Sequence, residues 1–288
     1  MRTPPFFQPL LFVLFFFVQL LIGSSIYPQT NFTQKRNPLQ QEHSPVLLKD
    51  LNHFLNTGLV LSRAPLSFTA SDWRNTSLAF GTTVLLFTTD KTARQAALFN
   101  RNRFNDNLFY FDHFYGDVYE FGFTAALYAG GYISGNQKIR LIGLHSIEAF
   151  LYAGAISSMI KFIAGRRRPN GGESNLVFKP FNFDNVYNSL PSGHATAAFA
   201  VSTVMAKSVE NTYWDHFWYG IAAITGTSRI YHNQHWLSDV FLGSVLGYSV
   251  ASYIVKQDSN LSEKQTPAGN FTISQYIANG SVGICLRF

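Results

Sequence analysis

The sequence has a single cysteine and few charged residues for its length. Cys285 is the only thiol in 288 residues, so the chain can form neither an internal disulfide nor a metal site built from several thiolates. Charged residues make up 13% of the chain and hydrophobic residues 47%. A chain of this composition can bury a substantial core, which argues against disorder over most of its length.

Motifs of nucleic-acid-binding proteins are also missing. The formal net charge of +6 favours anionic partners such as phosphates or acidic lipid surfaces. The sequence contains no basic repeat, no zinc-finger spacing and no RNA-recognition motif. We therefore predict that the chain does not bind nucleic acid.

The first 25 residues predict an export signal. Arg2 precedes an apolar run over residues 10–22 that is interrupted only by Gln19, and the small residues 23–25 follow. A basic N-terminus, an apolar run of roughly 7–15 residues and small residues at the cleavage site are typical of a secretory signal peptide. The alternative is a retained membrane anchor, although the run is shorter than the ~20 residues of a spanning helix. We predict that residues 1–25 are a signal peptide and that the protein is exported to the cell envelope or periplasm.

Composition divides the rest of the chain into three parts. Residues 26–45 are polar and contain prolines, as is typical of a linker. Residues 46–258 are predominantly apolar and predict one folded domain, and residues 259–288 form a tail. In the tail, Asn279-Gly280 separates two runs of β-prone residues. This pattern predicts a β-hairpin with a type I′ turn.

The apolar region predicts helices. The main candidates are residues 77–89, 119–134, 141–164, 193–207, 216–227 and 235–255. They are rich in alanine, glycine and aromatic residues, show little strand-like alternation, and are separated by clusters of glycine, asparagine and proline. The predicted fold class is all-α, a bundle of about six helices with a short C-terminal β-hairpin.

The same segments bear on membrane association. Most of the apolar runs are shorter than a spanning helix, and the mean hydropathy of +0.03 is low for six spans. The longest run, 141–164, contains His145 and Glu148. We predict a bundle that is buried mostly in itself and associated with a membrane, with a polytopic integral membrane protein as the alternative.

Three short stretches contain the candidate functional residues. They are residues 161–169 (KFIAGRRRP), 191–194 (PSGH) and 228–239 (SRIYHNQHWLSD). Each stretch alone has an ordinary structural explanation. Cations at a helix end bind the last carbonyl groups and offset the helix dipole. A Pro-Ser-Gly turn places serine as a helix N-cap.

Taken together, the three stretches have a specific spacing. The fixed positions are Lys161, Arg168 and Pro169 in the first stretch, Pro191, Ser192, Gly193 and His194 in the second, and Ser228, Arg229, His235 and Asp239 in the third. The pattern K-x6-RP, PSGH and SR-x5-H-x3-D resembles the signature of the type 2 phosphatidic acid phosphatase superfamily over roughly residues 140–255. The resemblance implies an all-α phosphatase domain, which we assign to residues 46–258, acting on a phosphomonoester or pyrophosphate.

Five of these residues suit a phosphate-binding site. Lys161, Arg168 and Arg229 can form a cationic clamp, in which the arginines make forked hydrogen bonds to phosphate oxygens. Ser192 and the amide of Gly193 lie where a helix begins, and free N–H groups at that position favour an anion.

The predicted catalytic residues are His235, His194 and Asp239. Asp239 is four residues after His235, so the two share a helix face, and we expect Asp239 to hold one ring nitrogen. The other nitrogen is then free to attack phosphorus and form a phosphohistidine. His194 is expected to protonate the leaving alkoxide and then to activate water, a division of labour that the resemblance implies as well. Because three fixed cations take the role of a metal ion, we predict no metal and no cofactor.

The predicted partners are a lipid phosphate or pyrophosphate substrate and the membrane surface. Two alternatives belong to other functional classes. The same constellation of residues holds vanadate in haloperoxidases, and a non-catalytic envelope protein could use the cations to bind acidic lipid. Arg166 and Arg167, between the motif cations, are expected to face solvent or anionic head groups.

Overall fold

The structure is a computed structural model that describes residues 45–172, 174–263, 272–278 and 281–287. The predicted signal peptide and all but the last residue of the predicted linker lie outside the described residues. The predicted turn at Asn279-Gly280 also lies outside them. The domain boundaries proposed from composition therefore stay predictions.

Nine α-helices lie within the described residues. They are α1 (Val46–Arg63), α2 (Ala70–Leu86), α3 (Asp90–Phe99), α4 (Arg103–Phe109), α5 (Val118–Ile133), α6 (Gln137–Ala164), α7 (Gly193–Lys207), α8 (Thr212–Tyr231) and α9 (Leu237–Glu263). Short 3₁₀ turns cover Ala64–Ser67, Tyr110–His113, Pro169–Gly171 and Asn185–Tyr187. The described fold is mainly helical, as predicted, with three more helices than the six expected.

Two strands follow the helices. They are β1 (Thr272–Ala278) and β2 (Ser281–Arg287), which pair antiparallel with Thr272 opposite Arg287. They form a two-stranded sheet of their own. Since the connection between them is outside the described residues, the hairpin with a type I′ turn stays a prediction.

Helix α7 is the centre of the bundle. Every residue from Ala195 to Ala206 is buried, and the helix packs against α6, α8 and α9. Five of these twelve residues are alanines or valines that belong to the main hydrophobic core. The hydroxyls of the buried Thr196 and Thr203 each donate a hydrogen bond to a backbone carbonyl one turn earlier in the helix. A helix of small residues buried on all sides lets its neighbours approach closely.

The contact between α7 and α9 requires glycine. A Cβ added at Gly243 would lie 2.5 Å from the carbonyl oxygen of Ser192, and one added at Gly247 would lie 2.2 Å from that of Thr196. Both distances are too short for real atoms, so the two backbones touch where α9 carries these glycines. This contact fixes the N-terminus of α7 against α9, so that the second predicted motif lies beside the end of the third.

Another glycine ends α6 and starts the connection to α7. Gly165 has φ of +56° and ψ of +40°, and its N–H donates to the carbonyl of Lys161, 2.8 Å away. This left-handed C-terminal residue turns the chain out of the helix. The connection then folds back on itself, with Lys179 N–H donating to Gly165 O at 2.7 Å and Arg166 bridging to Phe178.

Two of the described helices are long and apolar enough to cross a membrane by length and composition. They are Gln137–Ala164, with mean hydropathy 1.4, and Leu237–Asp258, with mean hydropathy 1.3. In the apolar 18-residue stretch of the first helix, 22% of the stretch is buried inside the protein. In that of the second helix, 61% is buried. The expectation that the helices are buried in one another therefore fits α9 better than α6, which exposes apolar side chains such as Leu151, Met159 and Ile163. This exposed surface supports membrane association.

Candidate active site

Helix termini bring the three motifs together at one end of the bundle. Lys161 is in the last turn of α6, and Ser192 is the N-cap of α7. A Cβ added at Gly193 would lie 3.7 Å from Cε of Lys161, so the lysine tip reaches the start of α7. The amide of Ser192 donates to the carbonyl of Asp239 in the first turn of α9, at 2.9 Å. The first, second and third motifs are therefore in contact.

The start of α7 combines a helix N-terminus with a cation. The hydroxyl of Ser192 is fully buried and accepts from the amide of Ala195 at 3.5 Å, which makes it a cap of the helix. Lys161 donates from Nζ to the carbonyl of Asn188 at 3.0 Å, which holds the ammonium near this terminus. The positive end of the helix dipole and the ammonium both favour an anion here.

Each of the two motif arginines donates a hydrogen bond to a neighbouring side chain from one terminal nitrogen of its guanidinium. Arg168 donates from Nη1 to Oε1 of Gln234 at 3.0 Å, and Arg229 donates from Nη1 to Oδ2 of Asp112 at 2.7 Å. The Nε atoms of both arginines are buried, and neither has a hydrogen-bond partner within the described residues. Buried N–H donors are normally satisfied, so these two indicate a site for an acceptor such as a phosphate oxygen.

His235 is buried among these cations. Its Nδ1 lies 2.8 Å from the carbonyl oxygen of Ser189. Since a carbonyl can only accept, Nδ1 carries the proton, and Nε2 of the neutral ring carries a lone pair. Burial, together with the charges of Lys161, Arg168 and Arg229, holds the pKa of His235 well below its usual range. The ring is therefore neutral at pH 7 and its free nitrogen is nucleophilic.

The i, i+4 spacing predicts that Asp239 holds a ring nitrogen of His235. In the structure Asp239 does not bind that nitrogen directly. Its Oδ2 is 3.8 Å from Nδ1 of His235, too far for a hydrogen bond. Oδ2 instead accepts from the hydroxyl of Ser189 at 2.5 Å and from the amide of Trp236 at 2.8 Å, and Oδ1 accepts from Arg166 at 2.6 Å. Asp239 caps the start of α9, and its contact with the imidazole runs through Ser189.

Arg166 has no exposed surface, so the expectation that it faces solvent or lipid head groups is wrong. Its Nη1 donates to Asp239 at 2.6 Å and to the hydroxyl of Ser238 at 2.7 Å. Its Nη2 donates to Oδ2 of Asp90 at 2.6 Å and to the carbonyl of Asn175 at 2.8 Å. Both carboxylates are also fully buried, so this arginine is the shared ion-pair partner of two acidic groups in the interior and ties α3 to α9.

His194 lies on the open side of the site, with 26% of its side chain exposed. Its Nε2 is 3.7 Å from Oδ2 of Asp117, which is itself half-exposed. Burial and the charge of Arg229 lower the pKa of His194 to about 4. In the unliganded site the ring is therefore neutral at pH 7, and an anion that offsets the charge of Arg229 would raise this pKa.

Part of the chain matches a known protein family. Residues 143–263 match the sequence profile of the PAP2 superfamily. This segment contains all eight predicted site residues. This part of the chain is therefore similar to the PAP2 superfamily.

Two proteins that part of this chain resembles are named lipid A 1-phosphatase. The protein from Porphyromonas gingivalis is 30% identical over 132 residues, which are 43% of this chain and 27% of that one. The protein from Rhizobium etli is 27% identical over 137 residues, which are 44% of this chain and 56% of that one. The matches thus span about a quarter to just over half of the relatives' own lengths.

A solved structure has the same fold. It is the transmembrane PAP2 type phosphatidylglycerolphosphate phosphatase from Bacillus subtilis, with a TM-score of 0.51 and 21% sequence identity. The similarity covers 66% of this chain and 98% of that one. It supports the all-α architecture of the matched segment and of the helices before it.

Several residues around the candidate active site were missed by the sequence motifs. Asp112 and Asp117 precede the matched segment and flank Arg229 and His194. Asp90 is 76 residues before Arg166, its partner. No spacing pattern connects positions so far apart in the sequence. The available signal is that these aspartates lie in a chain with few charges, where a buried carboxylate needs a cationic or hydrogen-bonding partner.

Proposed function

We propose that this protein is a phosphatase that hydrolyses a phosphomonoester or pyrophosphate, carried by a lipid, through a phosphohistidine intermediate and without a metal ion at the reacting phosphorus. The observation that supports this most is the combination of a buried, neutral His235 with two buried arginine Nε donors that lack partners among the described residues. A nucleophile and unsatisfied cationic donors beside it are what in-line attack on a phosphate needs.

In the first half-reaction, Nε2 of His235 attacks phosphorus and the bond from phosphorus to the leaving oxygen breaks. Lys161, Arg168 and Arg229 offset the negative charge on the other phosphate oxygens. His194 gives its proton to the leaving alkoxide. The substrate's charge raises the pKa of His194 from about 4 toward neutrality, so that the ring can bind this proton when substrate is present.

In the second half-reaction, neutral His194 removes a proton from water as the water attacks phosphorus. The bond between phosphorus and Nε2 of His235 breaks, inorganic phosphate leaves, and His194 is protonated again. While the ring is phosphorylated it is cationic, and the carbonyl of Ser189, 2.8 Å from Nδ1, stabilises it. Asp239 adds a negative charge 3.8 Å from the same nitrogen.

The proposal of a lipid substrate has separate support. The connection from α6 to α7 places apolar side chains in solvent, with Phe183 90% and Phe181 64% exposed. It begins and ends in the motifs, so an acyl chain beside the bound phosphate would contact it. The two named relatives act on lipid A. We therefore propose a lipid phosphate of the cell envelope as the substrate, and lipid A 1-phosphate as the first candidate.

The direct test is release of inorganic phosphate by the full-length protein in detergent. The substrates to compare are lipid A 1-phosphate, phosphatidate, phosphatidylglycerophosphate, undecaprenyl pyrophosphate and a small chromogenic phosphate. We expect turnover of at least one lipid to continue when EDTA is added at a temperature at which the chain stays folded. Immediate loss of turnover in EDTA without unfolding would contradict metal-free catalysis, and no turnover of any phosphate would contradict the phosphatase.

Replacing Asp239 by asparagine tests its indirect role. We expect turnover to fall by roughly 10²–10⁴-fold, because the amide cannot neutralise Arg166 or stabilise the cationic phosphohistidine. The measurement is kcat on the small chromogenic phosphate, with the unfolding temperature recorded in parallel. The control is Asp184→Asn, in the exposed loop before Asn185–Tyr187. Turnover of the Asp239 variant equal to that of the control would remove this role.

Replacing Phe183 by serine tests whether the loop contacts the lipid. We expect KM for the lipid substrate to rise several-fold, since an exposed apolar contact worth about 1–2 kcal/mol is lost, whereas kcat/KM for the small chromogenic phosphate stays the same. Tyr213→Ser is the matched control, because Tyr213 is 87% exposed at the far end of α8. An equal loss on both substrates would mean that Phe183 supports the site itself and not the lipid.

A further inference from the structure

A second cluster of ionisable side chains lies in the bundle, away from the motif residues. It consists of His53 on α1, His145 and Glu148 on α6, and Asp258 on α9. One ligand atom from each of His53, His145 and Asp258 lies within 4.8 Å of the others. We call these four residues the far-end cluster. Nothing in the phosphatase chemistry uses them.

The far-end cluster is distant from the proposed active site. His145 precedes Lys161 by 16 residues on α6, and Asp258 follows Asp239 by 19 residues on α9. At 1.5 Å per residue these separations are about 24 Å and about 28 Å along the two helices. An ion bound to the far-end cluster could not touch the reacting phosphate.

The spacing of the ligand atoms fits a bound ion. Nε2 of His53 is 3.3 Å from one oxygen of Asp258, and Nε2 of His145 is 3.6 Å from the other. Ligand atoms about 2.0–2.1 Å from a tetrahedral zinc ion lie roughly 3.4 Å from one another. The two imidazoles therefore approach the carboxylate at the separations of neighbouring ligands.

The orientation of His53 points to a cation between the rings and the carboxylate. Its Nδ1 is 2.8 Å from Oε1 of the fully buried Glu148. Since the carboxylate accepts, Nδ1 carries the proton, and Nε2 faces an oxygen of Asp258. A lone pair on Nε2 would repel this oxygen, so a positive charge lies between them, either a metal ion or a second proton on the ring. A carboxylate behind one histidine nitrogen is also the usual outer partner of a metal-binding histidine.

We propose that the far-end cluster binds one divalent ion of the zinc class through Nε2 of His53, Nε2 of His145 and the carboxylate of Asp258. Two imidazoles and a carboxylate are ligands that zinc and its neighbours in the periodic table accept. The side chains of His53 and Asp258 are 22% and 29% exposed, so an ion can enter from solvent. The ion joins α1 to α6 and α9 and has a structural role.

The competing explanation is a proton in place of the metal. Burial alone would lower the pKa of His53, but the carboxylates of Asp258 and Glu148 outweigh it and raise this pKa to about 10. A protonated His53 would then be paired with both carboxylates. The two explanations differ in whether the chain takes up a stoichiometric metal ion.

The experiment is a titration of the full-length protein in detergent with Co²⁺ and with Zn²⁺ after removal of metal by EDTA and dialysis. The protein is purified through a tag that contains no histidine, because a polyhistidine tag binds the same ions. Binding is followed by the visible absorption of Co²⁺, which reports its coordination, and by the metal content after gel filtration. We expect one ion per chain and a higher unfolding temperature in its presence.

Four variants locate the ion. His53→Gln and His145→Gln each remove a ligand and are expected to abolish stoichiometric binding. Glu148→Gln keeps the ligands but weakens their orientation, and we expect a loss of roughly 10–100-fold in affinity. His216→Gln is the matched control, because His216 is an exposed histidine on α8, outside the far-end cluster, with Nδ1 2.6 Å from the carbonyl oxygen of Thr212. It should bind like the wild type.

The proposal is overturned in either of two ways. Wild-type protein that takes up less than one ion per chain at saturating Co²⁺ and Zn²⁺ would leave the protonated network as the explanation. Equal uptake by wild type, His53→Gln and His145→Gln would place the ion elsewhere. Because the wild-type titration needs no variant to fold, it decides the first point alone. Neither result bears on phosphate release, which has its own test.

Discussion

Replacing His235 by alanine is expected to reduce phosphate release by a factor on the order of 10⁴ or more. The variant removes the ring nitrogen that we propose forms the covalent bond to phosphorus, whereas Lys161, Arg168 and Arg229 remain to bind the substrate. We therefore expect kcat to fall while the Kd for inorganic phosphate changes much less. The measurements are phosphate release in detergent and trapping of an acid-labile phosphoprotein, which should form with wild type and not with the variant.

Two controls make this result specific. His216→Ala removes an exposed histidine from α8 and should retain wild-type turnover. His235→Gln keeps a polar side chain that can still donate to the carbonyl of Ser189, yet it has no ring nitrogen for attack, so it should be as inactive as alanine. If either His235 variant keeps more than a few per cent of wild-type turnover, the covalent mechanism is wrong and a role in binding acidic lipid becomes the better explanation.

The sequence predicted six of the nine helices in the described residues. Helix α7 was predicted over residues 193–207, as observed, because small apolar residues follow a clear N-cap. Helix α1 was missed, and so were α3 and α4, which are short, at 10 and 7 residues, and about half polar. Contacts distant in sequence stabilise them: Arg94 on α3 donates to Asn233, and Tyr231 donates to Asp106 on α4. Such pairings leave no local pattern.

The same limit applies to the site. The motif spacing predicted that Lys161, Ser192 and Asp239 belong together, and their contacts across three helices agree. The partners of these residues could not be predicted. The i, i+4 rule placed Asp239 beside the His235 ring, but α9 begins at Leu237, so His235 lies before the helix and outside the geometry on which the rule depends. The carbonyl of Ser189, which does contact the ring, carries no sequence signal.

Replacing Arg166 by methionine is expected to destabilise the protein by about 3–5 kcal/mol. The guanidinium donates to Asp90 and Asp239 at 2.6 Å each, and all three side chains are fully buried. Removing it leaves two carboxylates in the interior with no cation, whose remaining partners are hydroxyl and amide groups. In a domain of this size the thermal unfolding midpoint should fall by roughly 10 °C, measured by tryptophan fluorescence in detergent.

Matched variants separate the charge from the shape of this residue. Arg167→Met changes the neighbouring arginine, which is partly exposed, and should alter the midpoint by only 1–2 °C, about 0.5 kcal/mol. Arg166→Lys keeps the charge, but a single ammonium cannot form the fork that joins Asp90 to Asp239, so it should recover only part of the loss. Adding Asp90→Asn to Arg166→Met removes one of the two uncompensated carboxylates and should raise the midpoint above that of Arg166→Met alone. A midpoint for Arg166→Met within 2 °C of wild type would mean that water or protonation stabilises both carboxylates without the arginine.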